Sequence, residues 1–123
     1  MKTAASLLMA LGLSACSAGF AMRSQDRYQQ DTREVLATRD SQIQSCYNSA
    51  LSRDQGLRGD VVVKFDVAED TGTFTNATIL EEETTAPQVL QECVLNALVD
   101  LQLSPPDEQK GIATYTWSFR TRS

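Results

Sequence analysis

The chain has 123 residues, 41% of them hydrophobic and 22% charged, with a formal charge of -5. That length holds one domain with a tail, and the composition is globular rather than disordered. The absence of histidine excludes Ser-His-Asp and Cys-His catalysis and every zinc site that needs imidazole. The acidic balance argues against nucleic acid as a partner.

The N-terminus reads as an export signal. Lys2 is followed by an apolar run from Ala4 to Leu13, broken only by Ser6 and Gly12. At roughly 10 residues it is too short to cross a bilayer, which takes about 20, and it has the length of a signal-peptide core. The run ends in Leu13-Ser14-Ala15-Cys16. That string resembles the lipobox of bacterial lipoproteins. The resemblance implies a diacylglycerol on the Cys16 thiol, cleavage before Cys16, and acylation of the new amine. Such an anchor suffices for stable membrane attachment. Ser17 in place of an aspartate points to the outer membrane rather than retention at the inner one. The competing expectation is ordinary cleavage after Ala21, with Gly19 and Ala21 as the small residues. Either route exports the protein.

Residues 1–15 are thus read as signal peptide and residues 16–39 as lipidated N-terminus and linker. From Ser17 to Arg39 the chain is polar, with Phe20, Met22, Tyr28, Val35 and Leu36 as its large apolar residues. It reads as a tether. In the alternative reading its second half is helical and runs into the next element, since no proline or glycine interrupts Arg23 to Gln55.

Residues 40–123 form the expected domain. Ile43, Cys46, Tyr47, Ala50 and Leu51 recur at helical spacing and predict a helix over Asp40–Ser52, capped by Asp40 or Ser41 and ended near Gly56. Asp60 to Ala68 alternates, with Val61, Val63, Phe65 and Val67 on one face, as a strand does. Glu69-Asp70-Thr71-Gly72 marks a turn. Thr73–Glu82 reads as the second strand of a hairpin, with Ala77 and Ile79 inward and Phe74 near its start. Glu81-Glu82-Glu83 reads as a solvated strand end, because successive side chains of a strand point to opposite faces and cannot converge on a cation. Val89, Leu90, Cys93, Val94, Ala97, Leu98 and Leu101 predict a second helix over Ala86–Leu101, with Pro87 in its first turn. Pro105-Pro106 stops it. Gly111–Arg120 reads as the last strand, with Ala113, Tyr115, Trp117 and Phe119 on one face.

Connection rules place the third strand beside the first. The fold class is therefore α+β, α-β-β-α-β, with a three-stranded antiparallel sheet in the order 2-1-3 and two helices on one face. Cys46 and Cys93 lie on the two helical stripes that meet over the sheet. In an oxidising envelope they are expected to pair, and the alternative is two buried free thiols acting as small hydrophobes.

The pattern Ile43, Cys46, Tyr47, Ala50, Leu51, then Gly59, Val61, Val63, Phe65, Val67, Gly72, Ala77, Ile79, then Cys93, Pro105, Pro106, Tyr115, Trp117 and Phe119 resembles the AgmX/PglI C-terminal domain. That family occurs mainly in myxobacteria and is similar to the C-terminal domain of TonB. The resemblance covers about Thr38 to Arg120. It implies a TonB-like periplasmic fold and a place in an envelope complex, associated with gliding motility or transport.

The function expected from these readings is a non-enzymatic binding or structural module, lipid-anchored to the periplasmic face of the outer membrane, with no cofactor and no metal. Its partner would be an envelope protein, bound by strand addition at an edge comprising Ile112, Thr114, Tyr115, Thr116 and Trp117. The alternative is a periplasmic ligand- or peptidoglycan-binding lipoprotein. No serine lies in a nucleophile elbow, and no glycine-rich phosphate loop is present.

Overall fold

A computed structural model describes residues 22–121. The signal segment and Cys16 lie outside these residues. Six elements follow in order: α1 (Gln25–Ala37), α2 (Asp40–Leu51), β1 (Gly59–Val67), β2 (Phe74–Ile79), α3 (Gln88–Ala97) and β3 (Gly111–Phe119). The sheet is antiparallel in the order β2-β1-β3, as the connection rules required.

The strand pattern of β1 decides the layering. Val61, Val63, Phe65 and Val67 are at most 1% exposed and face the helices. Ile43, Tyr47 and Ala50 of α2 and Leu90, Cys93, Val94 and Ala97 of α3 meet them in one core. Cys46 and Cys93 are bonded to each other, with Cα atoms 5.7 Å apart, and staple α2 to α3. The Tyr47 hydroxyl donates to the Leu57 carbonyl at 2.7 Å, so this buried ring meets its polar requirement at the loop that leads into β1.

The segment read as a tether differs most from expectation. From Gln25 it is a helix, and it belongs to the folded body. Ser24 caps it, its hydroxyl accepting from the Arg27 N–H. Tyr28, Thr32 and Leu36 recur at i, i+4 and i+8, and Thr32 and Leu36 are buried. The helix does not run on into α2, because Thr38 and Arg39 form a turn between them. The sheet therefore carries three helices on its inner side rather than two.

Other boundaries shift for local reasons. α2 has Arg39 at its N-cap with no side-chain cap bond, and Asp40 lies in the first turn, where a carboxylate suits the helix dipole. The Arg53 and Asp54 N–H groups close α2 on the Ala50 carbonyl, so Gly56 takes no part. α3 is shorter than its apolar stripe and starts after Pro87. β2 ends at Ile79, and Glu81, Glu82 and Glu83 lie exposed in the turn that follows. Within β2 the register with β1 slips between Lys64 and Asp66. Asn76 there has φ 56° and donates through Nδ2 to Asp66 at 2.9 Å. The bulge leaves Ala77 exposed, against the inward placement read from alternation, while Ile79 packs on the core.

The chain between α3 and β3 returns along the hairpin. Phe74 N donates to the Leu101 carbonyl and Leu103 N to the Gly72 carbonyl. Gly72 has φ 74°, and a Cβ there would run into the Leu103 carbonyl, so only glycine fits this position. This return path brings Asp107 beside the hairpin turn, where the Asp70 N–H donates to its carbonyl at 3.1 Å.

Candidate partner-binding edge and the grooves beside it

Two strands of the sheet have a free side, and they differ. β2 has six residues and carries the bulge, both devices that blunt an edge against foreign strands. β3 has nine residues, Gly-Ile-Ala-Thr-Tyr-Thr-Trp-Ser-Phe. It holds no charge and no proline, and its register with β1 is unbroken from Gly111 to Phe119.

The direction of the β3 peptide groups follows from β1. Leu80 N donates to the Val62 carbonyl, and Thr85 N and Ala86 N donate to the Asp60 carbonyl. Val62 N and Asp60 N donate to the hydroxyls of Thr84 and Thr85. The even-numbered residues of β1 thus aim their peptide groups at the β2 side, and the odd ones aim at β3. Val61 lies opposite Trp117 and Val63 opposite Tyr115, so the odd residues of β3 carry the ladder. Ile112, Thr114, Thr116 and Ser118 turn their N–H and C=O groups outward. No hydrogen bond among the described residues uses them, and all four residues are exposed, Ile112 at 66%.

The expected edge residues therefore divide into two roles. Ile112, Thr114 and Thr116 offer backbone groups. Tyr115 and Trp117 point to the helix side, half-buried, and pack against the core with their rings 6.3 Å apart. Ser118 belongs with the first set by strand parity, beyond the Ile112–Trp117 edge read from the sequence.

Two open grooves flank these rings. The first, about 500 Å3, lies between α1 and the start of β3 and is lined by Tyr28, Thr32, Arg33, Ala113 and Tyr115 among others. The second, about 750 Å3, lies between α2 and the end of β3 and is lined by Ile43, Tyr47, Leu51, Trp117 and Phe119 among others. α1 builds the first groove, so none of its lining helix residues entered the sequence expectation. The i, i+4, i+8 spacing of Tyr28, Thr32 and Leu36 was the available signal.

α1 is held in place by a charge cluster. The Arg23 guanidinium bonds the Asp31 carboxylate at 2.7 Å, the Asp107 carboxylate at 3.2 Å and the Pro105 carbonyl at 2.7 Å. Asp107 also accepts from the backbone N–H groups of Arg23 and Gln109. The two side chains are 6% and 1% exposed, so the pair is buried, with each guanidinium nitrogen and both Asp107 carboxylate oxygens hydrogen-bonded. At Asp31 partial burial works to raise the carboxyl pKa, but the hydrogen bonds from Arg23 and Arg27 outweigh it and hold the group below its ordinary value. Burial, and then the Asp107 charge, push the Tyr28 hydroxyl up. That hydroxyl donates to the Gln109 carbonyl at 3.2 Å, and Tyr115 Oη donates to the Gln29 carbonyl at 3.3 Å. Gly111 admits the Tyr28 ring, since a Cβ there would lie 2.6 Å from Cε1. At either end of β3, Lys110 pairs with Asp66 and Arg120 with Asp60.

No helix among the described residues is long and apolar enough to cross a membrane. No family model matches the chain, and no curated protein matches it. Among solved structures, the NMR structure of the C-terminal domain of Helicobacter pylori TonB is similar to it, at 16% identity over 84% of this chain and 99% of that one, with a TM-score of 0.49.

Proposed function

We propose that the protein is a non-enzymatic envelope module that binds a protein partner by strand addition to β3. The observation that carries this reading is the unblunted edge: four alternate residues with outward peptide groups on a regular, uncharged nine-residue strand. Natural sheets protect such edges unless they are used, and a strand added there gains main-chain hydrogen bonds in register. The Leu13–Cys16 string supports attachment to the periplasmic face of the outer membrane through a lipid on Cys16. The cysteine and strand pattern supports kinship with the AgmX/PglI domains and a role in an envelope complex for motility or transport.

Thr116→Pro tests the edge. Its N–H points outward, so proline removes a donor offered to a partner and none from the ladder. The variant should fold, by circular dichroism, and should fail to retain an envelope protein that the native domain captures. Retention of that protein by the folded variant would defeat the edge reading. Cys16→Ala tests the anchor. The variant should leave the membrane fraction, and a variant that stays there would refute lipidation at Cys16.

A further inference from the structure

One buried polar group is unaccounted for. Thr32 is 2% exposed, and its hydroxyl has no hydrogen-bond partner among the described residues. Leaving such a group unpaired forfeits the hydrogen bond water would have given it, and each case in a folded protein calls for an explanation. Thr32 lines the groove between α1 and β3.

The rest of that groove is cationic and polar. Arg33, the next residue, is exposed and makes no ion pair among the described residues. Lys110 stands on the other wall with its ammonium 3.7 Å from Asp66, still 52% exposed. Gln29 and Gln109 complete the polar wall. The groove opens at the β3 edge, where Ile112 and Thr114 also line it. A side chain entering from a strand laid along that edge would meet a hydroxyl that needs an acceptor and two cations.

The second groove is of another kind. Buried Ile43, Tyr47 and Phe119, with Trp117 beside them, give it an apolar floor, and exposed polar residues such as Gln44 and Asn48 form its rim. Along β3 the first groove is lined by Gly111 to Tyr115 and the second by Trp117 to Phe119; Ala113, at the middle of the first stretch, and Trp117, at the start of the second, are four residues apart. Residues four apart on one strand share a face.

We infer that the partner of the β3 edge is an extended peptide carrying a carboxylate side chain that enters the α1 groove and, four residues away, an apolar side chain that enters the α2 groove. This rests on the strand-addition reading and specifies its ligand. The carboxylate accepts from the Thr32 hydroxyl and lies against Arg33, with Lys110 opposite. An acid and an aliphatic residue at that spacing, on one face of the added strand, set its register as well as its identity.

Trp117 is the chain's single tryptophan and sits half-buried at the edge, so its emission reports binding. The probes are nine-residue peptides of alternating Thr and Val, with Glu at the third position and Leu at the seventh, and with the order reversed. Each is paired with a control that has Gln for Glu. One order of the Glu peptide should bind about tenfold tighter than its Gln control, the size expected for hydrogen bonds to a charged group. Thr32→Val keeps the side-chain shape and removes only the unpaired hydroxyl, so the variant should fold. It should lose most of the Glu preference, as should Arg33→Ala, while both variants bind the Gln peptide as the native protein does. Equal binding of Glu and Gln peptides would overturn the acid pocket and leave strand addition standing. A Glu preference that survives both substitutions would overturn its location. Binding of none of the peptides would overturn both readings.

Discussion

Replacing both Cys46 and Cys93 with alanine should lower the stability of the domain by roughly 4 kcal/mol, read from urea denaturation. The bond closes a loop with a sequence separation of 47, and the chain-entropy relation gives that size for such a loop. The loop contains β1 and β2 entire, so opening it frees the central hairpin and two helices together. α2 and α3 meet through this bond over the core they share with β1. For a domain of about 100 residues the midpoint of thermal unfolding should fall by some 15 to 30 °C. A reductant should reproduce the effect on the native chain and leave the double variant unchanged. A double variant within about 1 kcal/mol of native would show that the core alone carries the domain.

Asp107→Ala should cost about 3 to 5 kcal/mol, the usual penalty for removing one partner of a buried ion pair. The substitution leaves the Arg23 guanidinium, 6% exposed, without one of its two carboxylates. It also strips two backbone N–H groups of their acceptor. The loss should be concentrated in α1. Hydrogen exchange in Gln25–Ala37 should accelerate more than in β1, because β1 is held by the sheet and by the disulfide-linked helices. Asp107→Asn retains an acceptor and should cost less. If residues 22–37 were a tether independent of the domain, both variants would match the native protein.

The two results concern parts of the molecule that were unequally legible in the sequence. The alternation of Val61, Val63, Phe65 and Val67, the stripes through Cys46 and Cys93, and the connection rules were enough for the sheet order and the disulfide. These signals are local or follow from counting strands. α1 was misread because its stripe is thin. Tyr28, Thr32 and Leu36 hold one aliphatic residue between them, and the polar remainder resembles a linker. What fixes the helix is Asp107, 84 residues from Arg23 in sequence, and no local pattern announces such a partner. The β2 bulge escaped for a related reason. Asn76 tolerates a left-handed backbone, but only the pairing with Asp66 shows that it is used. The candidate edge was found as a strand, whereas its division into outward peptide units and inward rings needed the hydrogen bonds of β1 to Thr84 and Thr85. The first groove required α1 and was not legible without that helix.

The docking of α1 also sets a length. With a lipid on Cys16, as proposed, a free linker through Arg39 would reach some 80 Å, at about 3.4 Å per extended residue. The Arg23 cluster ends the leash seven residues after Cys16, at roughly 25 Å even when fully extended. The volume the domain can sweep falls steeply with that radius. A short leash confines it to a shell next to the bilayer and concentrates it there against anything held at the same height. The edge of β3 is then offered chiefly to segments that emerge close to the membrane surface, and a chain ending deeper in the periplasm lies out of range.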